Sequence, residues 1–208
     1  MPSERRRHLN MIRDFEVADL VTLANGFSGM AAVLLSMRFV GRGDRAALWV
    51  ALGLLPLAFV FDSLDGWIAR RLGRASLLGQ ELDSLADLIS FGVAPAALAF
   101  ALGMDGGWDA AILVYFVGCG VGRLARFNTT AAHLAGPKGK VSHFEGTPIP
   151  SSLLLVVLLA VLFGTGNVGD ELPLRELHVG PWRLHPLVLL WGLSGSAMIS
   201  KTLRIPKP

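Results

Sequence analysis

Long apolar segments alternate with short polar ones along the whole chain, and their lengths predict helices that cross a membrane. The predicted spans cover residues 20–40, 46–71, 77–102, 110–127, 151–163 and 184–203. A helix needs about 20 mostly apolar residues to cross the hydrocarbon core, so the fifth span is short unless the Pro-containing segment before it contributes. We therefore expect an all-α integral membrane protein with six transmembrane helices, in which residues 17–208 form one domain after a basic lead-in at residues 1–16.

The composition agrees with a membrane protein and narrows the chemistry. Hydrophobic residues make up 52% of the chain and charged residues only 17%, whereas an average soluble domain has about 25% charged residues. The net charge of +3 comes from basic residues beside apolar spans, which membrane topology and anionic lipids explain, so we expect no nucleic acid partner. The single Cys119 excludes an internal disulfide framework and a cysteine-type zinc site, and we expect it to fill space between helices.

Basic residues are concentrated at one end of the predicted bundle. They lie in the lead-in, in the turn at 71–74, in the connection at 123–140 and in the carboxyl-terminal tail, which share one side if six spans are present. The loops on the other side hold fewer Lys and Arg residues. By the positive-inside rule, we expect both termini and this end of the bundle to face the cytoplasm, in a bacterial cell membrane.

Four aspartates flank the turn between the second and third spans. Asp62 and Asp65 stand three residues apart, and Asp83 and Asp87 stand four apart, so each pair projects from one face of its helix. An antiparallel hairpin folded at the turn would bring the four carboxylates together near the cytoplasmic edge. Each acidic group costs about 2.5 to 3.5 kcal/mol there on insertion scales, and their like charges repel. A positive group must therefore compensate them.

Divalent metal ions are the compensation that this pattern favours, because hard cations prefer carboxylate oxygens. Four carboxylates can hold two ions, an arrangement that serves phosphoryl displacement. Two alternatives remain open. The carboxylates could pair with nearby arginines or lie at a solvated helix end, and intramembrane carboxylates also line ion paths, which would make the protein a divalent-cation transporter. A transporter needs a polar route through both leaflets, whereas these acidic residues lie on one side.

Two of the spans contain residues that lipid would not favour. Asn25 lies in the first span, where a buried amide needs another helix or a ligand as its partner. Gly26 and Gly29 beside it could permit close packing of helices. Pro95 follows the second aspartate pair and lacks a backbone donor, so we expect a kink that opens space above the carboxylates.

The aspartates belong to the pattern D-x2-D-G-x2-A-R-x8-G-x3-D-x3-D over residues 62–87. This pattern matches without gaps the signature of the CDP-alcohol phosphotransferase family. The chain thus resembles integral membrane enzymes with a six-helix core, which transfer a phosphoalcohol from a CDP-linked donor to an acceptor hydroxyl and release CMP. The resemblance implies that Asp62, Asp65 and Asp83 are metal ligands. It also implies that Asp87 completes the metal site and acts as the base that deprotonates the acceptor.

The same resemblance implies a donor site, cofactors and an oligomeric state. Gly66, Ala69 and Gly79 would shape the pocket for CDP, with Arg70 near phosphate, and we add Asn25 to this CDP-binding set. The cofactors would be two divalent cations, Mg²⁺ or Mn²⁺. A homodimer is also implied.

Three segments outside the signature, residues 90–95, 122–128 and 144–150, look like the phosphatidylserine synthase branch of the family. The implied reaction is CDP-diacylglycerol plus L-serine to phosphatidylserine plus CMP, with the acyl chains in apolar grooves among the membrane lipids. Arg123 and Arg126 stand three apart on one helix face. They could hold the serine carboxylate by bidentate hydrogen bonds, or serve only as positive-inside residues. Glycerol 3-phosphate and inositol phosphate remain alternative acceptors.

Overall fold

The computed structural model describes residues 17–72, 77–134, 143–200 and 204–206. The α-helices in these ranges are α1 (Val17–Arg42), α2 (Arg45–Leu72), α3 (Leu77–Asp87), α4 (Ala94–Ala101), α5 (Gly107–Leu134), α6 (Leu153–Gly164) and α7 (Leu189–Ile199). A π-helix (Leu88–Val93) joins α3 to α4, and 3₁₀-helices cover Ile149–Ser152, Gly169–Glu171 and Pro186–Val188. The strands are β1 (His143–Glu145), β2 (Leu177–Val179), β3 (Trp182–Leu184) and β4 (Arg204–Pro206). β1 pairs with β4 and β2 pairs with β3, both antiparallel.

Four helical segments are long and apolar enough to cross a membrane. They are Val17–Arg42, Arg45–Arg71, Leu78–Ala101 and Gly107–Thr129, which confirms the first four predicted spans to within a few residues. The apolar helices Ile149–Gly164 and Pro186–Ile199 are shorter. The Pro-containing 3₁₀-helix Ile149–Ser152 leads directly into α6 and so contributes to the fifth segment. The predicted sixth span runs to residue 203, whereas α7 ends at Ile199 and the backbone of Ser200 is extended.

Helix α1 packs through small and polar residues and presents its large apolar residues outward. Its buried positions are Ala18, Asp19, Thr22, Asn25, Gly26, Ser28, Gly29, Ala32 and Ser36. Phe27, Leu34 and Met37 are exposed on the other side. A soluble helix shows the opposite distribution, but in lipid small residues let helices approach closely. The buried face of α1 contacts α2 and α3, the two helices that carry the aspartates.

The π-helix follows Asp87 directly and packs tightly against α1. A Cβ atom at Gly29 would lie 2.6 Å from the Cα of Ser90, so only glycine permits this approach. The Ser90 hydroxyl donates to the carbonyl oxygen of Asn25 at 2.9 Å. The irregularity predicted at Pro95 thus takes the form of a π-helix that begins before the proline, and single π-helical turns are frequent at functional sites.

An apolar core holds the remaining helices against α2 and α4. Its fully buried side chains include Leu48, Leu55, Leu98, Phe116, Leu159, Phe163 and Trp191. Cys119 is buried in α5, and its Sγ would lie 3.3 Å from a Cβ atom at Gly195 in α7. It therefore fills space between two helices, as the sequence predicts.

The end of the bundle opposite the aspartates is closed by a buried contact between Asp109 and His185. Asp109, at the start of α5, is fully buried and accepts hydrogen bonds from the backbone N–H groups of Gly106 at 2.9 Å and His185 at 2.8 Å. Its Oδ2 also lies 2.6 Å from Nδ1 of His185. These contacts anchor the β2–β3 hairpin, which the sequence predicted only as a loop because three-residue strands carry too little alternation to be recognised.

Some predicted features lie outside the described residues. They are the basic lead-in at residues 1–16, the part of the turn that contains Arg74, the residues Lys138 and Lys140 in the connection, and most of the basic tail.

Candidate active site

Three of the four predicted aspartates meet at the end of the α2–α3 pair. Asp62 lies in α2, and Asp83 and Asp87 lie in α3. One carboxylate oxygen from each of the three lies within 4.8 Å of the other two. The four-residue spacing therefore places Asp83 and Asp87 together opposite Asp62, which confirms the predicted meeting of carboxylates for three of the four aspartates.

The spacing of these oxygens fits a single divalent cation. Oxygen ligands lie about 2.0 to 2.6 Å from Mg²⁺ or Ca²⁺, so two of them on one ion are at most about 5 Å apart. A limit of 4.8 Å among the three oxygens satisfies this condition. Carboxylates are also the hard donors that such cations prefer, so the residues present fit a metal ion.

Asp65 belongs to the same region but is held from another side. It is only 6% exposed, and its Oδ2 accepts a hydrogen bond from the Thr22 hydroxyl at 2.6 Å. Asp65 therefore stands beside the group of three and faces α1 with one of its two oxygens.

Asp87 is attached to α1 in a similar way. Nδ2 of Asn25 donates to Oδ1 of Asp87 at 3.0 Å, and both residues are buried. The partner that the buried amide of Asn25 requires is thus a carboxylate of the cluster. The Oδ1 of Asn25 is also buried and has no hydrogen-bond partner in the part of the chain that the structure describes.

Arg123 approaches the cluster from α5, whereas Arg126 points outward. The guanidinium of Arg123 lies near enough to Asp87 for their charges to interact. Its Nε is buried and finds no hydrogen-bond acceptor among the described residues. Arg126 is exposed, and Arg123 is the arginine of this pair whose charge lies beside Asp87.

A polar bridge fixes α5 against α3. Asn128 donates from Nδ2 to Oε2 of Glu81 at 3.2 Å and accepts from the Ser84 hydroxyl at 3.1 Å. Glu81 and Ser84 stand on either side of Asp83 in α3. The bridge therefore sets the distance between the helix of Arg123 and the helix of the second aspartate pair.

The predicted CDP-binding residues lie close to the aspartates along the same helices. Gly66, Ala69 and Arg70 form the last part of α2, and Gly79 lies in the first turn of α3. The guanidinium of Arg70 folds back over Gly66, since its Nη1 would lie 3.3 Å from a Cβ atom there. A larger residue at position 66 would push this guanidinium away.

Comparison with known proteins identifies the family. A model of the CDP-alcohol phosphatidyltransferase family matches residues 15–193, which is most of the chain. The chain belongs to this family. It is 46% identical over 208 residues to the CDP-diacylglycerol–serine O-phosphatidyltransferase of Saccharomyces cerevisiae, with 97% of this chain and 74% of the relative covered.

Two archaeal relatives are also similar. The chain is 39% identical over 141 residues to the archaetidylserine synthase of Methanothermobacter thermautotrophicus, which covers 66% of this chain and 54% of the relative. It is 34% identical over 167 residues to the CDP-diacylglycerol–serine O-phosphatidyltransferase of Methanocaldococcus jannaschii, with 74% and 71% covered. Membership in the CDP-alcohol phosphatidyltransferase family makes this chain a membrane transferase, and the transporter hypothesis is set aside.

Several polar residues that lie around the carboxylates in the structure were not predicted from the sequence. They are Asp19, Thr22, Ser90 and Asn128, all with polar groups directed at the cluster or at its supports. Asp19, Thr22 and Asn25 recur at intervals of three in an otherwise apolar span. That periodicity, which places them on one helix face, was the signal that could have revealed them.

Proposed function

We propose that this protein is a phosphatidylserine synthase, which transfers the phosphatidyl group of CDP-diacylglycerol to the hydroxyl of L-serine and releases CMP. The observation that carries the proposal is the 46% identity over 97% of the chain to a yeast enzyme of that name. The carboxylate cluster supports the chemistry, because a diphosphate donor requires positive charge and ordered carboxylates can supply it through metal ions.

Two divalent cations, Mg²⁺ or Mn²⁺, are the proposed cofactors. Asp62, Asp83 and Asp87 would hold one, and Asp65 would contribute to a second with carboxylates shared between them. When bound, such ions neutralise phosphate oxygens and orient the phosphoryl group for in-line displacement. The spacing of three carboxylate oxygens within 4.8 Å supports the first of these two ions.

Asp87 is the proposed general base. The oxygen of the serine hydroxyl forms a bond to the lipid-linked β-phosphorus, and the bond from that phosphorus to the bridging oxygen breaks, so that CMP leaves with the bridging oxygen. The hydroxyl proton passes to Asp87. Asn25 donates to Oδ1 of Asp87 at 3.0 Å and so fixes the orientation of the carboxylate that would take the proton.

Arg123 is the proposed partner of the serine carboxylate. A buried Nε–H without an acceptor is costly, and a carboxylate supplies two oxygens in bidentate geometry. Its position near Asp87 would bring the hydroxyl of the same serine molecule towards the base. Arg126 is exposed and is proposed to attract the anionic substrates rather than to contact serine directly.

The donor nucleotide is proposed to bind along the ends of α2 and α3. Gly66, Ala69 and Gly79 have small side chains or none, which would let CDP approach the helices closely. Arg70 would contact phosphate. Asn25 would contribute its Oδ1, which is fully buried and lacks a partner among the described residues.

The topology and the assembly are also proposals. We propose six spans in one catalytic domain, with both termini and the carboxylates at the cytoplasmic side of a bacterial cell membrane. We also propose a homodimer. Gly118 and Gly122 of α5 stand four residues apart, and a Cβ atom at either would meet no atom within 4 Å, so this face would permit close approach of another helix.

CMP release by the purified protein in detergent tests the proposed function. The assay supplies CDP-diacylglycerol and Mn²⁺ or Mg²⁺ and compares L-serine, glycerol 3-phosphate and inositol phosphate as acceptors. We expect CMP release that depends on serine, with phosphatidylserine as the lipid product. Release with only another acceptor would retain the family chemistry and exclude serine, and no release with any acceptor would overturn the proposal. Asp105→Asn, at an exposed carboxylate paired with Arg183 at 3.3 Å, is the control for loss of an unrelated charge.

A further inference from the structure

Thr22 of α1 makes a short contact with the least exposed of the four aspartates. Thr22 is 4% exposed and Asp65 is 6% exposed. The Thr22 hydroxyl lies 2.6 Å from Oδ2 of Asp65 and 3.1 Å from the carbonyl oxygen of Ala18. Neither the sequence signature nor the family match gives Thr22 a role.

The hydroxyl has a single proton and two possible acceptors. A hydrogen bond to an ionised carboxylate is about twice as strong as one between neutral groups, and O–H···O⁻ distances are about 2.5 to 2.7 Å. The contact with Asp65 falls in this range, whereas the contact with the Ala18 carbonyl is longer. The proton therefore lies towards Asp65 when that carboxylate is ionised.

Asp65 needs this support because another carboxylate lies on the same side. Asp19 precedes Thr22 by one helical turn and is near enough to Asp65 for their like charges to interact. The Thr22 hydroxyl donates to Oδ2 of Asp65 at 2.6 Å and so fixes the rotamer of this carboxylate.

The parallel contact of Asn25 with Asp87 shows the same arrangement one turn further along α1. In each case a neutral donor on α1 occupies one carboxylate oxygen and leaves the other unoccupied by α1. Neutral donors orient a carboxylate without neutralising it, and partners of this kind typically change metal affinity by about 10- to 100-fold when removed.

We propose that Thr22 is a positioning residue that orients Asp65 as a metal ligand. The inference rests on the proposed function only in taking a divalent cation as the ligand of the cluster. Thr22 itself touches neither the ion nor the reacting atoms. Its effect therefore has to be visible in the binding of the cation before any substrate is added.

The test uses purified full-length protein in detergent and measures the Kd of Mn²⁺ by electron paramagnetic resonance without substrate. Thr22→Val keeps the shape and removes the hydroxyl, and we expect it to weaken Mn²⁺ binding by about 10- to 100-fold. Thr22→Ser restores the hydroxyl, and we expect most of the affinity to return. Ser36→Ala is the matched control, because Ser36 is buried in the same helix and donates only to the carbonyl oxygen of Val33 at 2.7 Å.

Turnover measured at several Mn²⁺ concentrations adds a second readout. We expect Thr22→Val to need more Mn²⁺ for half-maximal rate, with an unchanged KM for serine once Mn²⁺ is saturating. Wild-type affinity for Mn²⁺ in Thr22→Val, or equal affinities in Thr22→Val and Thr22→Ser, would overturn the proposal. If Thr22→Val does not purify in folded form, Thr22→Ala is measured in its place with the same expected loss.

A double-mutant cycle with Asp65→Asn separates positioning from a general disturbance of α1. Since Thr22 acts through Asp65, Thr22→Val should change Mn²⁺ affinity little once Asp65 has lost its charge. Additive losses would contradict the proposal. If the variants lose Mn²⁺ affinity in this pattern but the wild-type protein makes no phosphatidylserine, the role of Thr22 stands and only the proposed function is overturned.

Discussion

Asn25 in α1 donates a hydrogen bond from Nδ2 to Oδ1 of Asp87 across 3.0 Å, with both side chains buried. The bond joins the first span to the last aspartate of the signature. It fixes the orientation of the Asp87 carboxylate within the cluster. The Ser90 hydroxyl donates to the Asn25 backbone carbonyl at 2.9 Å. The π-helix that follows Asp87 therefore holds Asn25, and Asn25 in turn orients Asp87.

Replacing Asp87 by Asn should lower turnover more than it weakens donor binding. The amide has nearly the same shape but cannot accept the hydroxyl proton, and loss of a general base typically costs about 10²- to 10⁴-fold in rate. We expect kcat to fall within this range while the KM for CDP-diacylglycerol changes much less. Steady-state CMP release checks this, with Asp105→Asn as the charge-matched control. Near-normal turnover in Asp87→Asn would remove Asp87 from the role of base.

Replacing Asp62 or Asp83 by Asn should abolish activity by loss of metal. Each contributes one of the three oxygens that lie within 4.8 Å of one another, and an amide is a poorer ligand for a hard cation than a carboxylate. We expect no measurable CMP release at Mn²⁺ concentrations that saturate the wild type. Calorimetric titration with Mn²⁺ provides the independent readout, and Asp170→Asn, in the exposed loop after α6, serves as control. Unchanged Mn²⁺ affinity in both variants would exclude these carboxylates as ligands.

The spans and the aspartate cluster were accessible from sequence because both depend on local periodicity. The apolar runs gave the first four helices to within a few residues, and the spacing of four placed Asp83 and Asp87 together opposite Asp62. Contacts between helices were not accessible in this way. The hydrogen bond from Thr22 to Asp65 joins residues 43 positions apart, and no local pattern determines which donor a carboxylate will meet.

The irregular elements were missed for a different reason. A proline indicates that a helix is disturbed but not how the backbone compensates, so the π-helix Leu88–Val93 could not be distinguished from a kink at Pro95. The packing of Gly29 against Ser90 then depends on that π-helix. The bridge of Asn128 to Glu81 and Ser84 likewise needs the relative rotation of α3 and α5, which the sequence does not reveal.

Asp44 should stabilise the start of α2 and give this contribution a pH dependence. Its Oδ1 accepts from the backbone N–H of Ala47 at 3.1 Å, as an N-cap residue does, and this bond, aided by Arg38, lowers the pKa of Asp44. A carboxyl whose pKa is lower in the folded state stabilises above its unfolded pKa, about 3.9. The stabilisation is lost as pH falls through the folded pKa.

Thermal unfolding in detergent with two Asp44 variants checks this assignment. Asp44→Ala removes the cap and should lower the unfolding midpoint at neutral pH. Asp44→Asn keeps an N-cap acceptor but cannot titrate, so its midpoint should fall less than that of the wild type when the pH is lowered below about 4. Identical acid profiles for wild type and Asp44→Asn would show that the carboxylate contributes nothing through its charge.

Replacing Arg123 should raise the KM for serine, and the choice of substitution separates serine recognition from a purely topological role. A positive-inside residue needs only charge, so Arg123→Lys should then behave as wild type. Bidentate recognition of a carboxylate needs the planar guanidinium, which lysine cannot supply. Because the Arg123 Nε is buried without an acceptor among the described residues and the group lies near Asp87, we expect Arg123→Lys to raise the KM for serine by about tenfold or more, corresponding to loss of one charged hydrogen bond. The KM for CDP-diacylglycerol should stay the same.

Arg38→Gln, at an exposed arginine paired with Asp44 at 2.8 Å, controls for loss of a basic residue elsewhere. An unchanged serine KM in Arg123→Lys would assign Arg123 to topology and leave the serine carboxylate to another group.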